Sequence, residues 1–245
     1  MNLAAIETAT ETVGVAVRTD AGVEAEFALT GRRRHVESLT PALEHLLQQV
    51  GLRPWELEAI AVDIGPGLFT GLRVGVAGAK ALAQAVGIGL VTASSLDILL
   101  AAAAEAGHHG RVCAAVDARR GEVFAAVRDV GTGGPGAATE LVAPALFGPD
   151  ALAAALHGLA PAERGVVAVG DGAQRYAHVL EAVPGVAVVA PTLSYPPPST
   201  LLAMAHARLD AGEAPVPAVG VVPLYMREAD ATSNFAQADR AGRDG

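Results

Sequence analysis

The opening of this chain returns later in it, and that repeat restricts the fold more than any single motif. Leu3 to Ile6 is an apolar strand pattern, Glu7-Thr8-Ala9-Thr10-Glu11-Thr12 is polar and small, and Val13 to Arg18 is a second strand pattern. Val112 to Val116, Asp117-Ala118-Arg119-Arg120-Gly121-Glu122 and Val123 to Arg128 follow the same order. The offset stays constant without a gap: Leu3–Ile6 falls on Cys113–Val116, Glu7 on Asp117, Val13 on Val123, and Ala16-Val17-Arg18 on Ala126-Val127-Arg128. Each unit reads as a β-hairpin whose first strand ends in an acid. Internal duplication explains the match better than chance similarity of short apolar strands.

A hairpin opening argues against a dinucleotide-binding start, which would pass from strand directly to helix. Glu24 to Leu29 reads as a third strand. Val36, Leu39, Leu43, Leu46, Leu47 and Val50 then fall at helical spacing. Pro41 lies inside that pattern, so it either starts the regular helix behind a Thr40 cap or kinks a helix begun near His35. Leu90 to Thr92 reads as a strand and Ser95 to Ala106 as a helix. In the second half Asp150–Leu159 reads as a helix, Val166–Val169 and Val186–Val189 as strands, and Ser199 or Thr200 caps a helix to about Asp210. Gly131–Ala138 is a glycine-rich loop, and the polar stretch from Ala229 to Gly245 is expected to be disordered.

Ala59 to Ile64 is an apolar run closed by Gly65-Pro66-Gly67, and Thr70 is placed to cap a helix from about Gly71 to Val86. Strand, glycine turn and helix together are how many α/β proteins offer backbone N–H groups to an anion. A P-loop would need Gly-Lys-Ser/Thr at the turn, and the nearest lysine, Lys80, lies deep in the helix. A dinucleotide fingerprint would need a third glycine where Thr70 stands. The local pattern favours a tight turn with close helix–strand packing and no ligand.

The chain has 245 residues, enough for one large domain or two small ones, and 51% of them are hydrophobic, enough for a sizeable core. Its net charge of −9 argues against tight binding of nucleic acid by the chain alone. Arg32-Arg33-Arg34 is the one basic cluster and reads as a solvated loop. Cys113 is the single cysteine, so an internal disulfide is excluded. None of the seven histidines forms the i, i+4 pair that a helical metal site needs; His108 and His109 are adjacent, and His35 and His45 have no third partner in view. No metal and no cofactor is expected. No G-x-S-x-G or nucleophile–base pair is visible, which leaves a peptidase-like reading without support. Met1 leads straight into a strand and no apolar run is long enough to span a bilayer, so a soluble cytoplasmic protein without membrane contact is expected.

Two hairpin-initiated α/β halves suggest the actin-like ATPase (ASKHA) architecture, in which each acid-tipped first strand faces a nucleotide cleft. More specifically, the chain resembles the TsaB (YeaZ) family. The resemblance rests on Ile6-Glu7-Thr8-Ala9-Thr10, His35-Val36-Glu37-Ser38-Leu39-Thr40-Pro41 and the block from Gly65 to Gly75. It continues through Asp117-Ala118-Arg119-Arg120-Gly121-Glu122-Val123-Phe124, Gly170-Asp171-Gly172 and Pro223-Leu224-Tyr225-Met226-Arg227. The resemblance implies an α/β fold of two duplicated subdomains, residues 1–106 and 107–228, with a degenerate nucleotide cleft and a tail over 229–245. It also allows the helix near 200–210 to pack back on the first subdomain.

It further implies a non-catalytic scaffold in the complex that forms N6-threonylcarbamoyladenosine (t6A) at position 37 of tRNAs. Such a subunit pairs with a TsaD-type transferase, helps recruit a TsaE-type ATPase and meets tRNA only through the complex. The self-complementary helix pair would also allow a homodimer. The helices near 35–50 and 71–86 are implied to form the partner interface, with His35, Leu39, Leu43, Leu46, Arg73, Val76, Lys80 and Gln84 as contact candidates. Glu7, Thr10, Asp117 and Arg119 are the candidates for residual contacts in the cleft. Glu7 replaces the Asp more usual in the family, Leu68 replaces a Ser, and Glu11 would repel a phosphate, so weak or absent nucleotide hydrolysis is expected. The competing reading is a stand-alone actin-like small-molecule kinase or ATPase whose hydrolysis would depend on Glu7 or Asp117.

Overall fold

The computed structural model describes residues 1–31, 35–131, 138–160 and 165–227. Arg32–Arg34, most of the loop expected at 131–138 and the tail from 229 lie outside the described residues. The first sheet contains β1 (Leu3–Glu7), β2 (Thr12–Arg18), β3 (Glu24–Thr30), β4 (Ala59–Asp63) and β5 (Gly89–Ala93), in the order β3-β2-β1-β4-β5. The second contains β6 (Gly110–Arg119), β7 (Glu122–Val130), β8 (Thr139–Phe147), β9 (Val166–Val169) and β10 (Val186–Val188), in the order β10-β9-β6-β7-β8. Read from β8, the second order repeats the first. In each sheet the first strand pairs antiparallel with the second and parallel with the fourth. Thus Glu7 lies opposite Gly14, and Asp117 opposite Val123. This is the duplicated actin-like α/β plan.

The helices are α1 (His35–Gln49), α2 (Phe69–Val86), α3 (Ser95–Glu105), α4 (Pro149–Leu159), α5 (Asp171–Arg175), α6 (Ala177–Leu180) and α7 (Pro198–Asp210). α1 and α2 cover one face of the first sheet, where Leu39, Leu46 and Val76 join Ile6, Val15, Ile60 and Val62 in a core. α7 covers the opposite face, with Leu201, Leu202 and Ala205 against Leu3, Ala5 and Ala61. α3 packs on the second sheet through Leu96 and Leu99. α4, α5 and α6 cover that sheet's far face through Leu152, Leu156, Ala173 and Leu180. Helices on both faces explain why β1, β4 and most of β6 read as continuous apolar runs.

Several helix starts differ from the expectation. α2 begins at Phe69, so Thr70 lies inside the helix; Leu68 precedes it without a side-chain cap. Leu68 N–H donates instead to the Ala9 carbonyl at 2.6 Å. α1 is one helix from His35 with Pro41 inside it. α7 starts at Pro198 behind Pro197, and neither Ser199 nor Thr200 caps it. The buried Thr200 hydroxyl reaches α3 and donates to Glu105 Oε2 at 2.6 Å. A hydrogen bond to a charged acceptor contributes about 1.5 kcal/mol. Thr200→Val is therefore expected to cost about 1–2 kcal/mol in denaturant unfolding, and an unchanged midpoint would show the bond to be idle.

After α7 the chain runs back as a strap. Val216 pairs with Leu90 through bonds of 2.9 and 2.8 Å, adding a bridge to the β5 edge. Lys80 Nζ, on α2, donates to the Val219 and Val221 carbonyls at 3.3 and 2.9 Å. Leu224 N–H reaches the Ile64 carbonyl at 2.7 Å. Arg227 then bonds the Ala118 carbonyl and pairs with Glu122 of the second hairpin.

Candidate functional site: a cleft filled by its own carboxylates

The repeated hairpins meet at the C-terminal ends of the central strands, where an actin-like fold presents its nucleotide cleft. Three of these strands carry an acid at or near this end: Glu7 and Asp63 are the last residues of β1 and β4, and Asp117 lies two residues before the end of β6, where the pairing with β7 shifts register. Each carboxylate folds back onto a backbone N–H two residues on. Glu7 Oε1 accepts from Ala9 at 2.8 Å, Asp63 Oδ1 from Gly65 at 2.7 Å and Asp117 Oδ1 from Arg119 at 3.0 Å. Asp171, at the start of α5, accepts the Asp117 N–H at 2.9 Å. Backbone N–H groups at such turns are what a phosphate would use. Here the chain fills those positions with its own carboxyl oxygens.

Burial sets the electrostatics. Glu7 and Asp63 have almost no exposed surface, and they stand beside each other because β1 and β4 are parallel with Ile6 opposite Val62. Burial, and then the neighbouring Asp63, push the Glu7 carboxyl well above the usual range, against the pull of the Ala9 and Thr10 N–H groups. Glu7 Oε2 has no hydrogen-bond partner. Burial pushes Asp63 up to about 7, although Gly65 N–H and the Ser95 hydroxyl hold it down. Ser95 Oγ is 2.9 and 2.8 Å from the two Asp63 oxygens. Asp171 rises to about 6, again mainly through burial.

The glycine block is the socket for the first hairpin. A Cβ at Gly67 would overlap the Ala9 carbonyl, one at Gly71 the Thr8 carbonyl, and one at Gly75 the Thr8 hydroxyl. Thr8 Oγ1 donates to the Gly71 carbonyl at 2.8 Å. The second hairpin is seated in the same way, since a Cβ at Gly170 would overlap the Ala115 carbonyl. The glycines are explained by close packing of hairpin on helix.

The cleft candidates are brought together in part. Asp117 and Arg119 form an ion pair at 2.9 Å, and Arg119 also reaches Glu11 of the first hairpin at 2.6 Å. Glu7 is buried in the first half beside Asp63. Thr10 is buried too, its carbonyl accepting His35 Nε2 at 2.9 Å. Sequence reasoning missed Asp63, Ser95, Asp171 and Arg175, which bonds Asp117 at 3.3 Å. Asp63 had a readable signal, being the acid at the end of an apolar strand like Glu7 and Asp117. Among the described residues, no group of three His, Cys, Asp or Glu side chains is placed to hold a metal ion.

Beside the ion pairs lies a cavity of about 590 Å³ whose walls include Leu68, Phe69, Arg73, Arg120, Phe124 and Tyr225. Arg73 lies 3.8 Å from the Phe69 ring centre and donates to the Tyr225 hydroxyl at 3.1 Å. The interface candidates divide by burial. His35, Leu39, Leu46 and Val76 face the chain's own interior. Leu43 and Lys80 are half-buried, and Arg73 and Gln84 are exposed. The outer surface of the helix pair includes Arg73 and Gln84 with Ala77 and Ala81 on α2, and Val36 with Glu37, Glu44 and Gln48 on α1; Phe69 is 44% exposed and Val36 70% exposed.

The fold and this cleft define a protein of the duplicated actin-like α/β plan whose turn N–H groups are taken by its own carboxyl oxygens. Residues 22–235 match the family described as TsaD: tRNA N6-adenosine threonylcarbamoyltransferase. The chain is 36% identical over 124 residues to the tRNA threonylcarbamoyladenosine biosynthesis protein TsaB of Escherichia coli, covering 51% of this chain and 53% of that protein. It is 36% identical over 126 residues to the TsaB of Bacillus subtilis, with the same coverage. In these matches the chain spans about half the length of the curated relatives. The solved structure of YeaZ from Pseudomonas aeruginosa superposes with a TM-score of 0.76 at 28% identity, covering 91% of this chain and 99% of that one. The chain belongs to the TsaD family, and within it to the TsaB (YeaZ) group. Among the described residues no helix is long and apolar enough to cross a membrane.

Proposed function

We propose that this chain is a non-catalytic scaffold in the formation of N6-threonylcarbamoyladenosine at position 37 of tRNAs. It pairs with a TsaD-type transferase, helps recruit a TsaE-type ATPase, and meets tRNA only through the assembly. The observation that carries the reading is the cleft: the turn N–H groups after Glu7, Asp63 and Asp117 are each taken by the chain's own carboxylates. Such a site leaves a nucleotide phosphate few free donors. The part of the molecule still offered to a partner is the outer side of α1 and α2, where α2 exposes Ala77, Ala81 and Ala85, small enough to permit close helix approach, and α1 exposes Val36 beside polar residues such as Glu37, Glu44 and Gln48. The same surface allows a homodimer when the partner is absent.

The test is co-elution on a sizing column with the TsaD-type subunit of the same genome. A charge at Val76 would enter the core, so the informative variant is Ala77→Glu with Ala81→Glu, both on the exposed side of α2. Wild type is expected to form a one-to-one complex. The double variant is expected to bind at least about tenfold more weakly with an unchanged melting temperature, because buried like charges at an interface lack partners. If wild type never associates, the scaffold reading fails and a stand-alone ATPase becomes the working hypothesis.

A further inference from the structure

Two residues far apart in sequence connect the two halves across the cleft. Glu11 lies in the turn between β1 and β2, and Arg119 ends β6. Arg119 Nη2 binds Glu11 Oε1 at 2.6 Å while Nη1 binds Asp117 Oδ2 at 2.9 Å. The Arg119 backbone is held for this task. Its φ of 63° is left-handed, a conformation that costs energy for a residue with a Cβ, and its N–H is fixed by Asp117 Oδ1. Asp117 is itself pinned, through Arg175 at 3.3 Å and through its own N–H to Asp171. The guanidinium therefore sits on a rigid base in the second half, and its far edge is closed by a carboxylate from the first.

The surroundings of that contact are those of an anion seat. Arg119, Arg120 and Arg227 line the 590 Å³ cavity together with Arg73 of α2, and Asp117 is the one acid among its lining residues. The Glu11 side chain is 23% exposed, so the outer edge of the Arg119 guanidinium is closed by a group that solvent reaches and not by one sealed in a core. Burial alone would lower the Arg119 guanidinium, yet the Glu11 bond and the Asp117 charge raise it above its usual value. A guanidinium in a cleft binds carboxylate and phosphate oxygens through the same geometry, so one can replace the other.

We propose that the Glu11–Arg119 pair is an internal clasp that occupies the seat of an anionic ligand and holds the two halves at a fixed angle. Removing the Glu11 charge then uncovers a latent site for a phosphoanion at Arg119. This inference goes beyond the scaffold reading and does not depend on any partner.

The experiment measures the distance between the halves by pulsed electron paramagnetic resonance, with and without inorganic pyrophosphate. Nitroxides are placed at exposed positions by Asp20→Cys and Glu140→Cys, while the native Cys113 is fully buried. With Glu11 intact, a narrow distribution indifferent to pyrophosphate is expected. Glu11→Gln is expected to broaden it, and pyrophosphate to narrow it again with an apparent affinity at least about tenfold tighter than for the Glu11 form. Glu11→Gln with Arg119→Gln is expected to stay broad at every concentration. A distribution in Glu11→Gln as narrow as with Glu11 intact overturns the clasp. Equal pyrophosphate response with and without Arg119 overturns the latent site. If near-ultraviolet dichroism shows Glu11→Gln unfolded, Glu11→Asp tests the clasp through the distance distribution alone, because it shortens the reach by one methylene, and Glu11→Ser, which removes the charge, carries the pyrophosphate test.

Discussion

Gly71→Ala is expected to destabilise the chain by about 3 kcal/mol or more, the range of severe overpacking. The sign is diagnostic. Gly71 lies in α2, where alanine by itself would stabilise a helix by about 1 kcal/mol. The new Cβ would instead overlap the Thr8 carbonyl oxygen, a backbone atom that cannot rotate away. To make room the first hairpin must lift from α2, stretching the Thr8 bond to the Gly71 carbonyl and the neighbouring Leu68 bond to Ala9. Gly78→Ala is the control, since its Cβ would meet only the Leu39 Cδ2 methyl, at 3.0 Å. That change is expected to stay within about 1 kcal/mol of wild type, propensity offsetting a small shift of one flexible side chain. Guanidinium unfolding of both variants decides the matter. Equal midpoints would mean that the hairpin is not seated on the helix as described.

Stability is expected to fall as pH rises from about 4 to about 7. Below pH 4 Asp63 is protonated in both the folded and unfolded chain and contributes nothing. Between the usual value of 3.8 and the folded value of about 7, the unfolded chain loses this proton while the folded chain keeps it. Each pH unit in that window removes up to about 1.4 kcal/mol, so Asp63 accounts for a loss of about 2–4 kcal/mol, complete above pH 7. Glu7 and Asp171 act in the same direction, because both are raised by burial. Asp63→Asn keeps an oxygen for the Gly65 N–H and an amide for Ser95, and has no charge to bury. It is expected to flatten the slope and to be more stable than wild type at pH 8 by about 2 kcal/mol. Denaturant midpoints at pH 4, 6 and 8 test this, and parallel profiles for the two proteins would refute it.

Much of this architecture was legible because it is encoded twice. The matched hairpins at Leu3–Arg18 and Cys113–Arg128 predict two sheets of one plan, and both sheets have it. The glycine block read as close packing, and Gly67, Gly71 and Gly75 do pack against Thr8 and Ala9. What stayed hidden depends on contacts between distant residues. Asp63 becomes a partner of Glu7 only through the parallel pairing of β1 with β4. Leu68 is held at the start of α2 not by a polar side-chain cap but by its N–H bond to the carbonyl of Ala9, far earlier in the chain. β8 escaped notice as a half-exposed edge strand carrying Pro144, with no clear alternation. Helical spacing marked Leu39 and Leu46 as part of an apolar face, and the family resemblance offered Val76 as a contact, but neither could say whether these residues met a partner or the chain's own sheet, and all three join the core on that sheet.

α7 and the strap have a consequence for biosynthesis. The strands of the first sheet are all made by residue 93, but the helix on one of its faces is residues 198–210, and the bridge over its β5 edge comes from Val216. A ribosome translating this chain therefore releases every strand of the second sheet before the first can be completed. During that interval Leu3, Ala5 and Ala61 lack the apolar cover that α7 gives them, and Leu90 offers an unpaired edge to any neighbouring strand. Folding cannot proceed strictly from the N-terminal half to the C-terminal half, the usual order during synthesis. The nascent first half instead waits, open on one face, until residues 198–216 have emerged.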